Sequence, residues 1–150
     1  MITVSDRCFA GEAQDRSGPA VARLLEVAGY EVTGSRLVPD EVEQIRAVLR
    51  EAAAELVVTT GGTGLAARDV TPQATRMEID FEVPGLAEEM RRVGSASTPL
   101  AILSRGLAGV RGRTLVLNLP GSERGATESI SAVLPVLGHA LDLLRGKARH

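Results

Sequence analysis

Apolar positions along this chain follow two alternating rhythms. Val21, Leu24, Leu25 and Ala28 recur at i, i+3, i+4 and i+7, which predicts an amphipathic helix that Gly29 can end. Val42, Ile45, Leu49 and Ala52 predict a second helix, with Asp40 at or near its N-cap. Leu86, Met90 and Val93 predict a third, opened by Pro84. Ile130, Val133, Leu134, Leu137, Leu141 and Leu144 predict a last one, kinked or restarted at Pro135. Between these lie apolar runs without helical spacing: Ile2–Val4, a weaker one over Glu31–Val38, then Leu56–Val58, Leu100–Leu103 and Leu115–Leu119. Such runs suit strands buried on both faces of a parallel sheet. The alternation predicts an α/β domain, a three-layer sandwich whose mainly parallel sheet is covered by helices on both faces. Gly106–Arg113 reads as a glycine-punctuated turn between two late strands, with a hairpin edge as one form of it.

Composition narrows the picture. The 150 residues suit a single domain, and the absence of linkers, repeats or low-complexity stretches agrees. With 17 basic and 19 acidic residues the net charge is -2, so nothing electrostatic points to nucleic acid or to an anionic membrane. Aromatic residues are 2% of the chain, too few to build a stacking platform for single-stranded bases. Cys8 is the only cysteine, which excludes an internal disulfide or a cysteine-built zinc site, and it reads as an inert small residue. His139 and His150 lie far from it along the chain. Asp6 and Arg7 interrupt any signal-peptide core and no run is long enough to span a membrane, so the expected location is the cytoplasm. Met1–Val4 already reads as a strand, so residues preceding Met1 are expected.

The unusual residues follow strands. Val4 leads into Ser5-Asp6-Arg7, Val38 into Pro39-Asp40, Val58 into Thr59-Thr60-Gly61-Gly62-Thr63-Gly64, and Leu119 into Pro120-Gly121-Ser122. Ligands of open α/β sheets bind beyond the carboxyl ends of the strands, so four distant segments can line one cleft. The glycines admit left-handed backbone and bring amide groups close to an anion, although an ordinary βα loop uses glycine too. Arg68-Asp69-Val70-Thr71-Pro72 then supplies a cation, a carboxylate, an N-cap and a helix-starting proline, at the end of a loop longer than a tight turn requires. Gly62-Thr63-Gly64-Leu65-Ala66-Ala67 fits G-x-G-x-x-A, but it follows the third strand and its helix starts late, so the dinucleotide fingerprint is a poor fit. No P-loop and no G-x-S-x-G elbow occurs.

Taken singly, Asp40 reads as an N-cap and Asp69 as a surface partner of Arg68. Placed together at one sheet edge beside a glycine loop, they fit a Mg²⁺–phosphate site, since Mg²⁺ takes one or two carboxylates and completes its shell with water and phosphates. Ser122 is placed to cap the last helix, whose N-terminus then faces the cleft. Asp15 and Ser17-Gly18-Pro19 read as a similar helix start, and Arg91-Arg92, Arg111 and Arg113 as a solvated face.

Six motifs occur in order: Ser5-Asp6-Arg7; Asp15-x-Ser17-Gly18-Pro19; Thr60-Gly61-Gly62-Thr63-Gly64; Arg68-Asp69-Val70-Thr71-Pro72-x-Ala74-Thr75; Leu103-Ser104-Arg105; and Asn118-Leu119-Pro120-Gly121-Ser122. Together they resemble the MogA/MoaB family of molybdopterin-binding proteins of molybdenum cofactor biosynthesis, over essentially the whole chain. The resemblance implies a three-layer α/β domain, a homotrimer or sometimes a hexamer, that binds molybdopterin. It further implies transfer of AMP from Mg-ATP to the terminal phosphate of molybdopterin with release of pyrophosphate, before a partner protein inserts molybdate. Asp40 and Asp69 match two aspartates required for that reaction and would hold the Mg²⁺. Ser5, Asp6, Gly61, Gly62, Thr63, Gly64, Pro120, Gly121 and Ser122 match the loops that bind substrate and nucleotide. A MoaB-like protein that binds the pterin without adenylylating it is the alternative, and a general nucleotide-binding α/β domain a third. Gln73, Glu123 and Gly94 depart from residues frequent in the family, respectively Glu, Pro and Ser.

Overall fold

A computed structural model describes residues 1–147, so that His150 lies outside the described residues. In chain order the elements are β1 (Ile2–Val4), α1 (Asp6–Phe9), α2 (Ser17–Val27), β2 (Arg36–Val38), α3 (Val42–Glu51), β3 (Leu56–Thr60), α4 (Thr71–Arg76), β4 (Phe81–Glu82) and α5 (Pro84–Ser97). A 3-10 turn (Pro99–Leu103), β5 (Ala108–Arg111), β6 (Thr114–Leu119) and α6 (Glu123–Leu144) complete the chain. The strands form one sheet in the order β2-β1-β3-β6-β5-β4. The first four are parallel, and β5 and β4 add an antiparallel edge.

Alternation along the strands divides the core between two faces. Val58, Leu115, Leu117 and Leu119 face α2, α5 and α6, while Val57 and Val116 face the other way, toward α3 and α4. Each continuous apolar run thus feeds two helical layers, as expected for a covered parallel sheet. Helix α2 stops at Gly29, whose φ of +92° is left-handed. The Tyr30 amide donates to Leu25 O at 2.9 Å and the Gly29 amide to Glu26 O at 3.0 Å, a Schellman closure.

Three sequence expectations are corrected. Leu100–Leu103 is not a strand but a 3-10 turn. Pro99 has no amide to give a ladder and the Thr98 hydroxyl accepts from Leu100 N, so the segment closes locally and leaves Leu100, Ile102 and Leu103 exposed. The late strand is Ala108–Arg111, inside the segment read as a turn, while the hairpin edge expected there is present, with Gly112 turning the chain into β6 at φ +60°. Helix α6 neither restarts nor breaks at Pro135. The carbonyl that Pro135 leaves without a donor belongs to Ser131, which is exposed and can bond to water.

Candidate active site

The carboxyl ends of β1, β2, β3 and β6 meet around a cleft of about 560 Å³. β1 leaves the sheet through α2 toward β2, whereas β3 leaves through α4 on the opposite face, so the cleft lies at the topological switch between β1 and β3. A larger groove, about 720 Å³, opens at the other end of the sheet between Gly29–Arg36 and Leu56–Val58. It contains none of the glycine-loop residues, and the chemistry belongs to the smaller cleft.

Glycine is required at the turn after β3. Gly61 and Gly62 have φ +94° and +64°. A Cβ on Gly61 would stand 2.1 Å from Val4 O, and one on Gly62 2.4 Å from Thr71 Oγ1 and 2.8 Å from Asp40 Oδ1. Gly121 packs against Gly61, where a Cβ would meet Gly61 Cα at 3.2 Å, so the two glycine loops touch. Thr71 is the first residue of α4 rather than its N-cap, and its hydroxyl donates to Gly61 O at 2.9 Å. Beneath the cleft, Asn118 Nδ2 donates to Thr59 and Thr75 hydroxyls at 3.0 Å, tying β6, β3 and α4 together.

Asp40 is half-buried and does not cap α3, whose N-cap is Glu41. Its Oδ2 accepts from Asp6 N at 2.8 Å, and its own amide donates to Asp6 Oδ1 at 2.9 Å. Arg68 does not pair with Asp69. Its guanidinium binds Asp6 in a fork, at 2.9 and 3.0 Å, and reaches Glu41 at 2.9 Å. The Arg68 hydrogen bonds, followed by that from the Asp40 amide, hold the Asp6 carboxyl below the usual aspartate range. Burial pushes Asp40 up, and the charges of Asp6 and Asp69 add to this against the Asp6 amide. Asp69 Oδ2 accepts from Ala66 N at 2.9 Å.

Of the residues singled out in the sequence, Ser5, Asp6, Asp40, Gly61, Gly62, Asp69 and Gly121 line the cleft together. Thr63, Gly64, Pro120 and Ser122 do not line it: Thr63 is buried, and exposed Ser122 caps α6 by accepting from Gly125 N at 3.1 Å. The N-terminus of this 22-residue helix lies beside the cleft, and its first residue, Glu123, lines it. Asp15, not Ser17, bonds the start of α2, accepting from Gly18 N at 3.0 Å, while buried Ser17 donates to Thr60. Gly94 is buried in α5, where a Cβ would meet Ala101 at 3.0 Å, and is not part of the cleft wall.

Sequence reasoning missed several contacts. Arg16 lines the cleft beside Arg7 of the first post-strand segment, both exposed and with no side-chain partner among the described residues. Half-buried Arg91 is not a solvated side chain, since it donates to Gly106 O at 3.0 Å. Arg111 donates to the Arg50 and Ala52 carbonyls at 3.2 Å, at the end of α3. No period marks such residues, because each acts on a carbonyl or a cleft distant in sequence.

The donors suit a hydrated hard cation. Among the described residues no three or more His, Cys, Asp or Glu side chains group into a metal cage. Asp40 and Asp69 instead offer carboxylates whose mutual repulsion a cation would relieve, which matches Mg²⁺ held by one or two carboxylates.

An acid-lined cleft at the switch point, beside two glycine loops and a helix N-terminus, is the ligand-binding arrangement of an open α/β domain. A family model described as a probable molybdopterin binding domain matches residues 1–139, and the chain belongs to that family. It is 42% identical over 94% of its length to the molybdopterin adenylyltransferase of Haemophilus influenzae, spanning 75% of that protein. It is 40% identical over 96% of its length to the molybdenum cofactor synthesis protein cinnamon of Drosophila melanogaster, of which it spans only 25%. A crystal structure of the molybdopterin biosynthesis enzyme MoaB from Thermus thermophilus superposes with a TM-score of 0.92 at 58% identity, covering 97% of this chain and 94% of that one.

Proposed function

We propose that the chain is a molybdopterin adenylyltransferase of molybdenum cofactor biosynthesis, transferring AMP from Mg-ATP to the terminal phosphate of molybdopterin with release of pyrophosphate. The observation that carries this reading is the meeting of Asp40 and Asp69 in one cleft, together with the 42% identity to an adenylyltransferase. The Gly61 amide donates to Leu119 O, and the turns at Gly62 and Gly121 with the N-terminus of α6 are left to offer backbone amides to phosphate. Arg7 and Arg16 add positive charge to a wall that also holds Asp6, Asp15, Asp40, Asp69 and Glu123. With Asp6 paired to Arg68, the four remaining carboxylates still outnumber the two free guanidiniums and would repel a triphosphate, so the reaction as proposed requires a cation. Bound by Asp40 and Asp69, Mg²⁺ would neutralise the two anionic substrates and align them. Asp6, neutralised by Arg68, fixes Asp40 through the paired amide bonds.

The proposal extends to a cytoplasmic homotrimer or hexamer that passes its product to a molybdate-inserting partner. Among the described residues no helix is long and apolar enough to cross a membrane. The test is incubation with molybdopterin and Mg-ATP, followed for pyrophosphate and an adenylylated pterin. Tight pterin binding with no pyrophosphate would replace this reading with a MoaB-like binding protein.

A further inference from the structure

We propose that Arg105 is a positioning residue for this site, holding both ends of the loop that presents Asp69, with Arg91 bracing the segment from which Arg105 projects. The inference rests on the reading of the site given above.

Between β3 and α4 the chain runs from Gly61 to Val70 without a regular element, and Leu65–Arg68 are exposed. A loop of that kind holds a side chain in place only if something outside it supplies bonds. Its inner tie, Asp69 Oδ2 to Ala66 N, moves with the loop. Arg68 ties the exposed tip of the loop to Asp6 and Glu41, but its side chain is more than half exposed, where solvent and salt screen the pairs, and it makes no bond to Asp69.

Arg105 supplies the rest. Its amide donates to Thr63 O at 2.8 Å, and its Nε donates to Gly64 O at 2.8 Å. Its Nη2 donates to Asp69 O, the carbonyl of the proposed metal-binding residue itself. One planar fork therefore bridges the outgoing and returning limbs of the loop, which a lysine ammonium cannot reproduce at both carbonyls.

The base of this brace is also fixed. Arg91, on α5, donates to Gly106 O at 3.0 Å and more loosely to Ser104 O at 3.4 Å. Gly106 lies so close to β6 that a Cβ there would stand 2.8 Å from Asn118 O. The position of Asp69 relative to Asp40 is thus referred through Arg105 to a central strand and a long helix.

The test compares wild type with Arg105→Gln and Arg105→Lys. Three readouts are used: amide hydrogen exchange over residues 64–69, direct titration with Mn²⁺ in the absence of pterin, and kcat and KM for molybdopterin. Faster exchange confined to the loop is expected, with Mn²⁺ affinity and kcat lower by roughly 10-fold or more in Arg105→Gln, as for other residues that orient metal ligands. KM for molybdopterin should stay within about twofold, and Arg105→Lys should be intermediate because it keeps one carbonyl contact. Wild-type exchange in the loop together with wild-type Mn²⁺ affinity would overturn the proposal. If Arg105→Gln does not fold, Arg105→Lys decides by the same readouts. Failure of the metal-site reading shows separately, as an Asp69→Asn variant with unchanged Mn²⁺ affinity, and the exchange data still decide whether Arg105 holds the loop.

Discussion

Asp6 and Asp40 exchange hydrogen bonds across the tips of neighbouring strands, each carboxylate accepting from the other's amide at 2.8 and 2.9 Å. The exchange locks the end of β1 to the end of β2 and turns Asp40 toward the cleft instead of toward its own helix. Two like charges are held close as a result. Arg68 pairs with the Asp6 carboxylate, while that of Asp40 has no ion-pair partner among the described residues.

Asp40→Asn and Asp69→Asn should each lower turnover by roughly 100-fold or more, beyond what outer-shell changes alone usually cost. If the two act as one metal-holding unit, the double variant should be little worse than the worse single one. Steady-state pyrophosphate release checks this. Unchanged turnover in both single variants would remove the metal-site reading.

Acid should inhibit at a higher pH than an ordinary aspartate would give. Burial holds the Asp40 carboxyl above its usual range, so the folded chain binds that proton more readily than the unfolded one. Stability therefore falls as pH rises from the ordinary aspartate value through the raised one, while the ionised form that binds metal increases over the same interval. Turnover should titrate with an apparent pKa above the usual 3.9 or so, and more Mg²⁺ should move the midpoint to lower pH because cation and proton compete. A midpoint that ignores Mg²⁺ would argue against Asp40 as a ligand.

The same linkage predicts a trade between stability and activity. Asp40→Asn removes a half-buried charge yet keeps a carbonyl oxygen for the Asp6 amide. Its thermal midpoint at neutral pH should equal or exceed that of wild type, and any gain should vanish in acid. A clear drop in the midpoint would mean that the carboxylate is structural.

Gly61→Ala should be strongly destabilising. Left-handed backbone costs an ordinary residue roughly 1–3 kcal/mol, and the added Cβ would also run into Val4 O at 2.1 Å. At about 2–4 °C per kcal/mol for a chain of this size, the thermal midpoint should fall by several degrees or more. Gly112→Asn, also left-handed but facing open space, should stay within about 1 kcal/mol. Equal effects from the two would show that close approach is not what selects glycine at 61.

Light scattering at micromolar concentration should give the mass of a trimer or hexamer. Its contacts should be mainly aliphatic, since the chain has only two Phe, one Tyr and no Trp. Leu100, Ile102 and Leu103 stand exposed together on one turn, an aliphatic patch suited to that use. A monomeric mass alone would refute the assembly.

Local pattern was sufficient for much of this protein. The strands β1, β3 and β6 and the helices α2, α3, α5 and α6 were legible because each buries an apolar set whose spacing is a property of neighbouring residues. The glycine turns and Ser122 were legible because left-handed backbone and helix caps restrict residue type wherever they occur. Leu100–Leu103 misled because four apolar residues in a row have no period, and Pro99 with Thr98 decided the matter locally. Two-residue β4 left no pattern to read. What only the tertiary structure decided is which residues share a contact: Arg68 with Asp6 rather than Asp69, Asp40 with Asp6 rather than α3, and Arg105 with the carbonyls of Gly64 and Asp69. These bonds join positions 34 to 62 residues apart. Their partners are largely backbone atoms or charges common to every segment, so the packed sheet alone selects which of them meet.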